Sequence, residues 1–243
     1  MPRLERRSRH IVAISGGKDS VAMAIRLKEM YPHIKYEYVI TPTGDELPEM
    51  VEHWKKLETI LGELKRISNI TIFDAIEREG MIPNFRARFC TRVLKIEPFI
   101  DFMESLPSNS VMYVGLRSDE DGRLGLVNKG SKFKVVYPMR DWGWTINDVL
   151  AYLKDRKIKI PKRTDCGCCF YQRLPEWRDL LFNHPERYNK YAELEKKMGH
   201  TFRSPGRDTW PASLEDLKKE ILSGRKMKQT NPRGIKKCRF CSM

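Results

Sequence analysis

A short apolar run that ends in a glycine-rich loop constrains the fold more than any other feature of this chain. Residues 10–14 are apolar and rich in β-branched side chains, which predicts a buried strand. Two adjacent glycines, Gly16 and Gly17, follow it, and residues 21–31 then have the apolar spacing of a helix that Pro32 ends. A strand, a glycine loop and a helix in this order predict a βα unit.

The same alternation continues along the first two thirds of the chain. Strand patterns occur at 36–40, 70–73 and 111–115, and helical patterns at 48–61 and 93–105. Strands that alternate with helices at this spacing predict an α/β fold with a doubly wound, mainly parallel sheet covered by helices on both faces.

The pattern changes near Arg163. Strand signals stop, and residues 175–199 and 213–222 have the composition of polar, amphipathic helices. We therefore predict two domains: a nucleotide-binding α/β domain at 1–162, and a helical extension at 163–243 that carries cysteine pairs and a basic tail.

The charge and the cysteines indicate the class of partner and the cellular compartment. Forty-six Lys and Arg against 32 Asp and Glu leave a net charge of +14, which favours a polyanionic partner, most commonly a nucleic acid. The alternative is that the basic groups serve a nucleotide pocket and solubility. No apolar stretch is long enough to cross a membrane and no secretory signal is evident, so we expect a cytoplasmic protein with reduced thiols.

The loop has the chemistry of a phosphate site. Glycines let backbone N–H groups approach phosphate oxygens, and a helix that begins there directs its positive end at the same anion. Lys18 adds a full charge, and the hydroxyls of Ser15 and Ser20 can donate hydrogen bonds. An ordinary βα turn is the alternative for a bare Gly-Gly pair, but the complete six-residue string favours phosphate binding.

Two Cys-x-x-Cys pairs predict a metal site. They are Cys166 with Cys169, and Cys238 with Cys241, and four thiolates suit a zinc ion or an iron–sulfur cluster. Cys168 is a spare thiol in this arrangement, and Cys90 stands alone.

The loop Ser15-Gly16-Gly17-Lys18-Asp19-Ser20 resembles the PP-loop of the ATP pyrophosphatase superfamily. Three later segments are similar to those of its phosphoadenylyl-sulfate (PAPS) reductase family: Thr43-Gly44 with Pro48-Glu49, Cys90 to Lys95 and Pro98, and Gly115-Leu116-Arg117 with Arg123. The resemblance covers roughly residues 10–175. It implies an adenine nucleotide alpha hydrolase-like fold and a bound ATP, or an adenylyl sulfate, with Mg²⁺.

The resemblance also implies roles for individual residues. The expected catalytic residues are Lys18, Asp19 and Cys90. Arg117 and Arg123 can each pair with phosphate or sulfate through two hydrogen bonds, although surface solvation is an alternative. The expected nucleotide-binding residues are Ser15, Gly16, Gly17, Lys18, Asp19, Ser20, Thr43, Gly44, Lys95, Gly115, Arg117 and Arg123.

The identity of the metal also depends on resemblance. Residues 166–169 are similar to the segment that supplies half of a [4Fe-4S] site in adenylyl-sulfate reductases, whose other half is a Cys-Cys pair where this chain has Phe89-Cys90. We therefore expect a [4Fe-4S] cluster, with Zn²⁺ as the alternative, bound by Cys166, Cys169, Cys238 and Cys241. In a second ligand set, Cys90 joins Cys166, Cys169 and one tail cysteine.

Three functions follow. The first is ATP-dependent adenylylation and sulfur transfer to a nucleic acid, because the chain resembles the ATP pyrophosphatases of DNA phosphorothioation and cluster-containing tRNA thiolases. The second is a sulfonucleotide reductase that uses a thiol reductant. The third is a binding protein without catalysis, which the intact loop disfavours. A cysteine desulfurase or a thioredoxin-like protein is the expected sulfur or electron donor.

Overall fold

The structure is a computed structural model that describes residues 8–120, 122 and 133–227. The strands in these residues are β1 His10–Ala13, β2 Tyr36–Ile40, β3 Leu64–Arg66, β4 Val111–Tyr113 and β5 Lys134–Val136. The α-helices are α1 Lys18–Met30, α2 Pro48–Leu61, α3 Ile72–Glu79, α4 Phe89–Thr91, α5 Glu97–Glu104, α6 Pro138–Asp141, α7 Ile146–Asp155, α8 Leu174–Asn183, α9 Pro185–Met198 and α10 Leu214–Leu222. A π-helical turn, Arg92–Ile96, connects α4 to α5.

The strands form one parallel sheet in the order β3-β2-β1-β4-β5. The central strand β1 pairs with β2 on one side and β4 on the other, so that His10 lies opposite both Tyr36 and Val111. The chain winds outward from β1 in one direction and then returns to build the other half. This confirms the predicted doubly wound α/β fold. A crevice opens where the winding reverses, at the carboxyl ends of β1 and β4.

Alternate residues of β1 pack into two different hydrophobic clusters. Val12 is fully buried in a cluster that includes side chains of α1, α2 and α7. Its neighbour Ile11 is fully buried with Phe99 and Met103 of α5 in another cluster. Burying an aliphatic side chain of this size stabilises the fold by about 1.5–3 kcal/mol, so a strand covered on both faces anchors the loop that follows it.

A third cluster joins the C-terminal helices to the sheet region. Ile72 and Ile76 of α3 pack with Trp177 of α8, Tyr188 of α9 and Leu217 of α10. The predicted domain boundary after residue 162 falls in the connection between α7 and α8 and stays a prediction.

The strand predicted at residues 70–73 is wrong. The third strand is Leu64–Arg66, and Ile72 begins α3. A capping box explains this: the Asp74 N–H donates to Thr71 Oγ1 at 3.2 Å, and the Thr71 N–H donates to Asp74 Oδ2 at 2.7 Å. These bonds satisfy N–H groups at the start of a helix, which outweighs the β-propensity of the short apolar run.

Other boundaries also differ from the sequence pattern. The helix predicted at 175–199 is two helices, because α8 ends before His184 and Pro185 begins α9. The helix predicted at 93–105 starts earlier, in α4. The sequence analysis did not predict β5. No helix within the described residues has the length and apolar character needed to cross a membrane.

Candidate functional site

The predicted phosphate loop lies at the crevice. Gly17 is the residue that precedes α1. No side chain of a described residue caps the helix there, so the first N–H groups of α1 have no side-chain partner in this part of the chain. Gly16 has φ +78°, a conformation that glycine adopts easily. A Cβ at Gly16 would overlap the end of the Met50 side chain and lie 2.8 Å from Trp54 Nε1, so only glycine fits between the loop and α2.

Hydrogen bonds within the loop fix its shape. The Ser15 N–H donates to Ser20 Oγ at 3.1 Å, and the two hydroxyl oxygens lie 3.0 Å apart. The Ser20 hydroxyl also donates to the Gly17 carbonyl at 3.1 Å. Ser15 and Ser20, which the sequence proposed as phosphate donors, therefore also serve as braces of the loop.

Arg117 is fully buried, and its guanidinium is held by carboxylates. It donates from Nη1 to Asp19 Oδ2 at 2.9 Å and from Nε to Asp119 Oδ1 at 2.8 Å. Burial opposes its charge, but Asp19, Asp119 and Glu120 outweigh that effect and raise the pKa of Arg117 above its usual value. The guanidinium of Arg117, which was predicted to bind phosphate, thus contacts the loop through Asp19. Arg123, its predicted partner, lies outside the described residues.

Asp19 connects Arg117 to the predicted catalytic lysine. Lys18 Nζ lies 3.3 Å from Asp19 Oδ2, the oxygen that also accepts from Arg117. The other oxygen, Oδ1, is buried and accepts no hydrogen bond from any described residue. One carboxylate oxygen is therefore occupied and the other is available to a cation.

A cavity of about 920 Å³ opens at this end of the sheet. This volume suits a nucleotide-sized ligand. The predicted residues that line it are Ser15, Gly17, Lys18, Asp19, Ser20, Thr43, Lys95 and Gly115. The lining also includes exposed lysines that the sequence analysis missed, namely Lys154, Lys157, Lys159 and Lys162.

Three predicted residues do not line the cavity but lie next to residues that do. They are Gly16, Gly44 and Arg117. Gly44 has φ +77°, and a Cβ there would lie 2.6 Å from Thr71 Cγ2 at the start of α3. Glu46 closes this turn, because its carboxylate accepts from the Thr43 hydroxyl at 2.7 Å and from the Gly44 N–H at 3.1 Å.

Lys95 lies in the π-helical turn, where the Glu97 N–H donates to the Arg92 carbonyl. Single π-turns inside helices occur frequently at functional sites. Lys95 lines the large cavity and also a second cavity of about 30 Å³. Thr43 and Cys166 line both cavities as well, so the two spaces adjoin.

The smaller cavity brings four cysteines together. Cys90, Cys166, Cys168 and Cys169 line it, and all four are free thiols. Burial and the neighbouring Cys169 raise the pKa of Cys90. The contact with Cys168 raises the pKa of Cys166 well above its usual value, and the contact with Cys166 does the same for Cys169. We therefore expect these thiols to be protonated at neutral pH unless a cation is bound.

The predicted metal site is described only in part. Cys166 and Cys169 lie in the smaller cavity, whereas Cys238 and Cys241 lie outside the described residues. In residues 8–120, 122 and 133–227, no group of three or more His, Cys, Asp or Glu side chains is arranged to hold a metal ion.

Asp45 connects the cysteine loop to the sheet, a role that the sequence analysis did not predict. Its buried carboxylate accepts from the Cys168 N–H at 2.9 Å, from the Tyr191 hydroxyl at 2.7 Å and from Arg187 Nη1 at 3.1 Å. Its carbonyl accepts from the Gly167 N–H at 2.7 Å. A Cβ at Gly167 would overlap the Tyr191 hydroxyl, so a glycine is required where the two segments meet. We name Asp45, Gly167 and Tyr191 the cysteine-loop clamp.

Comparisons with known proteins give one family match and, among solved structures, likenesses of low sequence identity. No curated protein matches the chain at a significant level. One similar solved structure is a phosphoadenylyl-sulfate (PAPS) reductase from Candida auris in a phosphate complex, with 13% identity over 65% of this chain and 77% of that chain and a TM-score of 0.48. Another is the U34-tRNA thiolase NcsA from Methanococcus maripaludis with its [4Fe-4S] cluster, with 18% identity over 100% of this chain and 83% of that chain and a TM-score of 0.47. Both TM-scores lie below 0.5, so these likenesses establish neither fold nor function.

The family comparison is decisive. The model of the phosphoadenosine phosphosulfate reductase domain matches residues 9–174, which is more than half of the chain. This match spans the phosphate loop, the π-helical turn and the first cysteine pair, and it confirms the resemblance that the sequence motifs indicated. The chain belongs to the phosphoadenosine phosphosulfate reductase domain family.

Proposed function

We propose that this protein adenylylates a nucleic acid with ATP, which releases pyrophosphate, and then transfers sulfur to the activated position, which releases AMP. One observation carries the proposal: Thr43, Lys95 and Cys166 line both the large cavity and the thiol cavity. A nucleotide whose phosphates lie on the loop would therefore place its reacting end beside a cluster of sulfur atoms. The net charge of +14 supports a polyanionic acceptor.

The residues of the loop have distinct roles in this proposal. The N–H groups at the start of α1 and the Lys18 ammonium bind the phosphates. Arg117 fixes the carboxylate of Asp19 through Oδ2. Asp19 Oδ1 is a buried oxygen without a hydrogen-bond partner among the described residues, which fits a ligand for Mg²⁺. When bound, Mg²⁺ would neutralise phosphate charge.

The thiols would hold the metal cofactor. Cys166 and Cys169 fit a [4Fe-4S] cluster or Zn²⁺ by the chemistry of their donor atoms. Cys90 lines the same cavity, but within the described residues it is not grouped with Cys166 and Cys169 in an arrangement that could hold a metal ion, so we propose the ligand set with both tail cysteines. A cluster would supply a redox-active sulfur site, and the clamp would position the loop that carries its ligands.

The acceptor would enter along the lysines of the large cavity. Lys154, Lys157 and Lys159 form no ion pair with any described residue, whereas Lys162 pairs with Asp179 at 2.6 Å. Three exposed lysines that pair with no carboxylate of a described residue suit the phosphates of a nucleic acid. The sulfur would come as a persulfide from a cysteine desulfurase, and a thioredoxin-like protein would supply the two electrons that reduce it.

A sulfonucleotide reductase is the second candidate, and the family match favours it. The same loop would hold PAPS or adenylyl sulfate without ATP, and a thiol would attack the sulfate. Reduction would then need a thioredoxin-like donor. The raised pKa of the partly buried Cys90 counts against that residue as the attacking thiolate.

Pyrophosphate release distinguishes the two candidates. We expect the purified protein to release pyrophosphate from ATP when RNA or DNA and a sulfide donor are present. Lys18→Ala removes a charge-assisted contact to phosphate, and we expect it to reduce the rate about 100- to 1,000-fold. Lys35→Ala is the control, because Lys35 is exposed and does not line the cavity.

Sulfite formation is the opposing result. If the protein forms sulfite from PAPS or adenylyl sulfate with thioredoxin and releases no pyrophosphate from ATP, the reductase is the correct assignment. If it forms neither product, the third hypothesis, a binding protein, replaces both.

A further inference from the structure

An exposed aromatic side chain stands at the rim of the thiol cavity. Phe85 is 46% exposed, and it lies in the loop between α3 and α4. Asn84 fixes the loop: its Oδ1 accepts from the N–H groups of Arg86 and Ala87 at 2.9 and 3.0 Å, and its own N–H donates to the Ala87 carbonyl at 3.1 Å. The loop therefore presents an aromatic ring to solvent from a defined turn.

Phe85 belongs to an aromatic cluster. Its ring packs edge-to-face on Phe170 and Tyr171, with centroids 5.2 and 4.9 Å apart. Phe170 and Tyr171 line the thiol cavity together with Cys90 and Cys166. The exposed ring is thus one side chain away from the sulfur atoms.

Arginines surround these rings. The guanidinium of Arg207 lies 5.9 Å from the Phe85 centroid, and that of Arg88 lies 5.2 Å from the Tyr171 centroid. Arg86, next to Phe85, is exposed, and so is Arg207. We name Phe85, Arg86, Arg88, Tyr171 and Arg207 the aromatic rim.

We propose that the aromatic rim stacks one unpaired base of the nucleic-acid acceptor beside the thiol cavity. This inference rests on the proposed function and narrows its substrate to a nucleic acid with an unpaired nucleotide. Aromatic faces and guanidinium planes bind bases by stacking, and arginines bind the neighbouring phosphates. Inside a duplex the base faces are covered by neighbouring bases, so away from the duplex ends only an unpaired base can stack on Phe85. The exposed neighbours are arginines rather than aliphatic side chains, which favours a nucleotide over an apolar peptide.

The test measures binding of a fluorescein-labelled single-stranded RNA 12-mer and of the matching 12-base-pair duplex to the full chain at low salt. We expect Phe85→Ala to weaken single-strand binding about 5- to 100-fold and to change duplex binding by less than about 2-fold. Phe85→Trp should retain the affinity, whereas Phe85→Leu should lose it as alanine does.

Phe182→Ala is the matched control. Phe182 of α8 is 55% exposed and has the Arg178 guanidinium 5.7 Å from its ring, but, unlike Phe85, its ring does not pack on Phe170 or Tyr171 at the thiol cavity. We expect no change in binding for this variant. Thermal unfolding of Phe85→Ala should match that of the unchanged protein, because the ring is nearly half exposed.

Three results would overturn the inference: no single-strand binding by the unchanged protein, equal affinity of Phe85→Ala, or an equal loss on the duplex. Loss of binding to a thioredoxin-like donor with unchanged oligonucleotide binding would assign the rim to a protein partner instead. The proposed function is tested by a separate measurement, the release of pyrophosphate. Stacking that depends on Phe85 without pyrophosphate release would leave the inference standing, and pyrophosphate release with a neutral Phe85→Ala would leave the adenylylation standing.

Discussion

Replacing Arg117 with alanine is expected to lower the free energy of unfolding by about 3–5 kcal/mol, because a buried ion pair loses one partner. The Arg117 side chain is fully buried, and Asp19 is 6% exposed. Without the guanidinium, the buried carboxylate of Asp19 would lose its shorter contact with a cation, 2.9 Å to Arg117, and keep the longer one, 3.3 Å to Lys18. Denaturation by urea, followed by circular dichroism, measures the change.

Arg66→Ala is the control for this prediction. Arg66 pairs with Glu58 at 3.1 Å, but its side chain is 49% exposed, so we expect a loss of about 1 kcal/mol or less. A similarly small loss for Arg117→Ala would mean that water or another cation reaches Asp19, and Arg117 would no longer be the residue that fixes the loop carboxylate.

Replacing Gly167 with alanine is expected to displace the cysteine loop and weaken metal binding about 10- to 100-fold. The added methyl group would overlap the Tyr191 hydroxyl and lie 3.0 Å from Asp45 Oδ2. Overpacking of this kind costs about 1–3 kcal/mol of stability. We expect the anaerobically purified, unchanged protein to contain iron and acid-labile sulfide, and the variant to contain much less.

Two further variants make this result specific. Gly122→Ala is the control, since no described residue has an atom within 4 Å of a Cβ at that position. Combining Gly167→Ala with Tyr191→Phe removes the hydroxyl that the added methyl group would overlap, and it should restore part of the metal content. Full iron content in Gly167→Ala would contradict the clamp, and one zinc ion per chain in both proteins would make the thiols a structural site.

Local patterns were sufficient for the elements that hold the nucleotide loop. Strand β1 and the start of α1 follow from a β-branched run, two glycines and helical spacing, and each of these signals acts within a few residues. The strand predicted at 70–73 was wrong because the capping box of Thr71 and Asp74 competes with β-propensity at that point. A Thr-x-x-Asp signal was present in the sequence and could have found it.

The roles of some site residues depend on contacts between distant parts of the chain. The sequence indicated Arg117 as a phosphate ligand, but its bond to Asp19 spans 98 positions and depends on β4 lying beside β1. Asp45 and Tyr191 are 146 positions apart, so no local pattern joins them. In the sequence of the clamp, only Gly167, which lies between two cysteines, indicated that another segment packs closely there.

Titration calorimetry of Mg-ATP into the unchanged protein and into Lys18→Ala tests the central claim most directly. That claim is that the loop from Ser15 to Ser20 binds the phosphates of ATP. We predict saturable binding of one nucleotide per chain, weakened about 10- to 100-fold by Lys18→Ala, since a charged hydrogen bond to phosphate is lost. Absence of binding by the unchanged protein, or equal affinities in the two proteins, would contradict it.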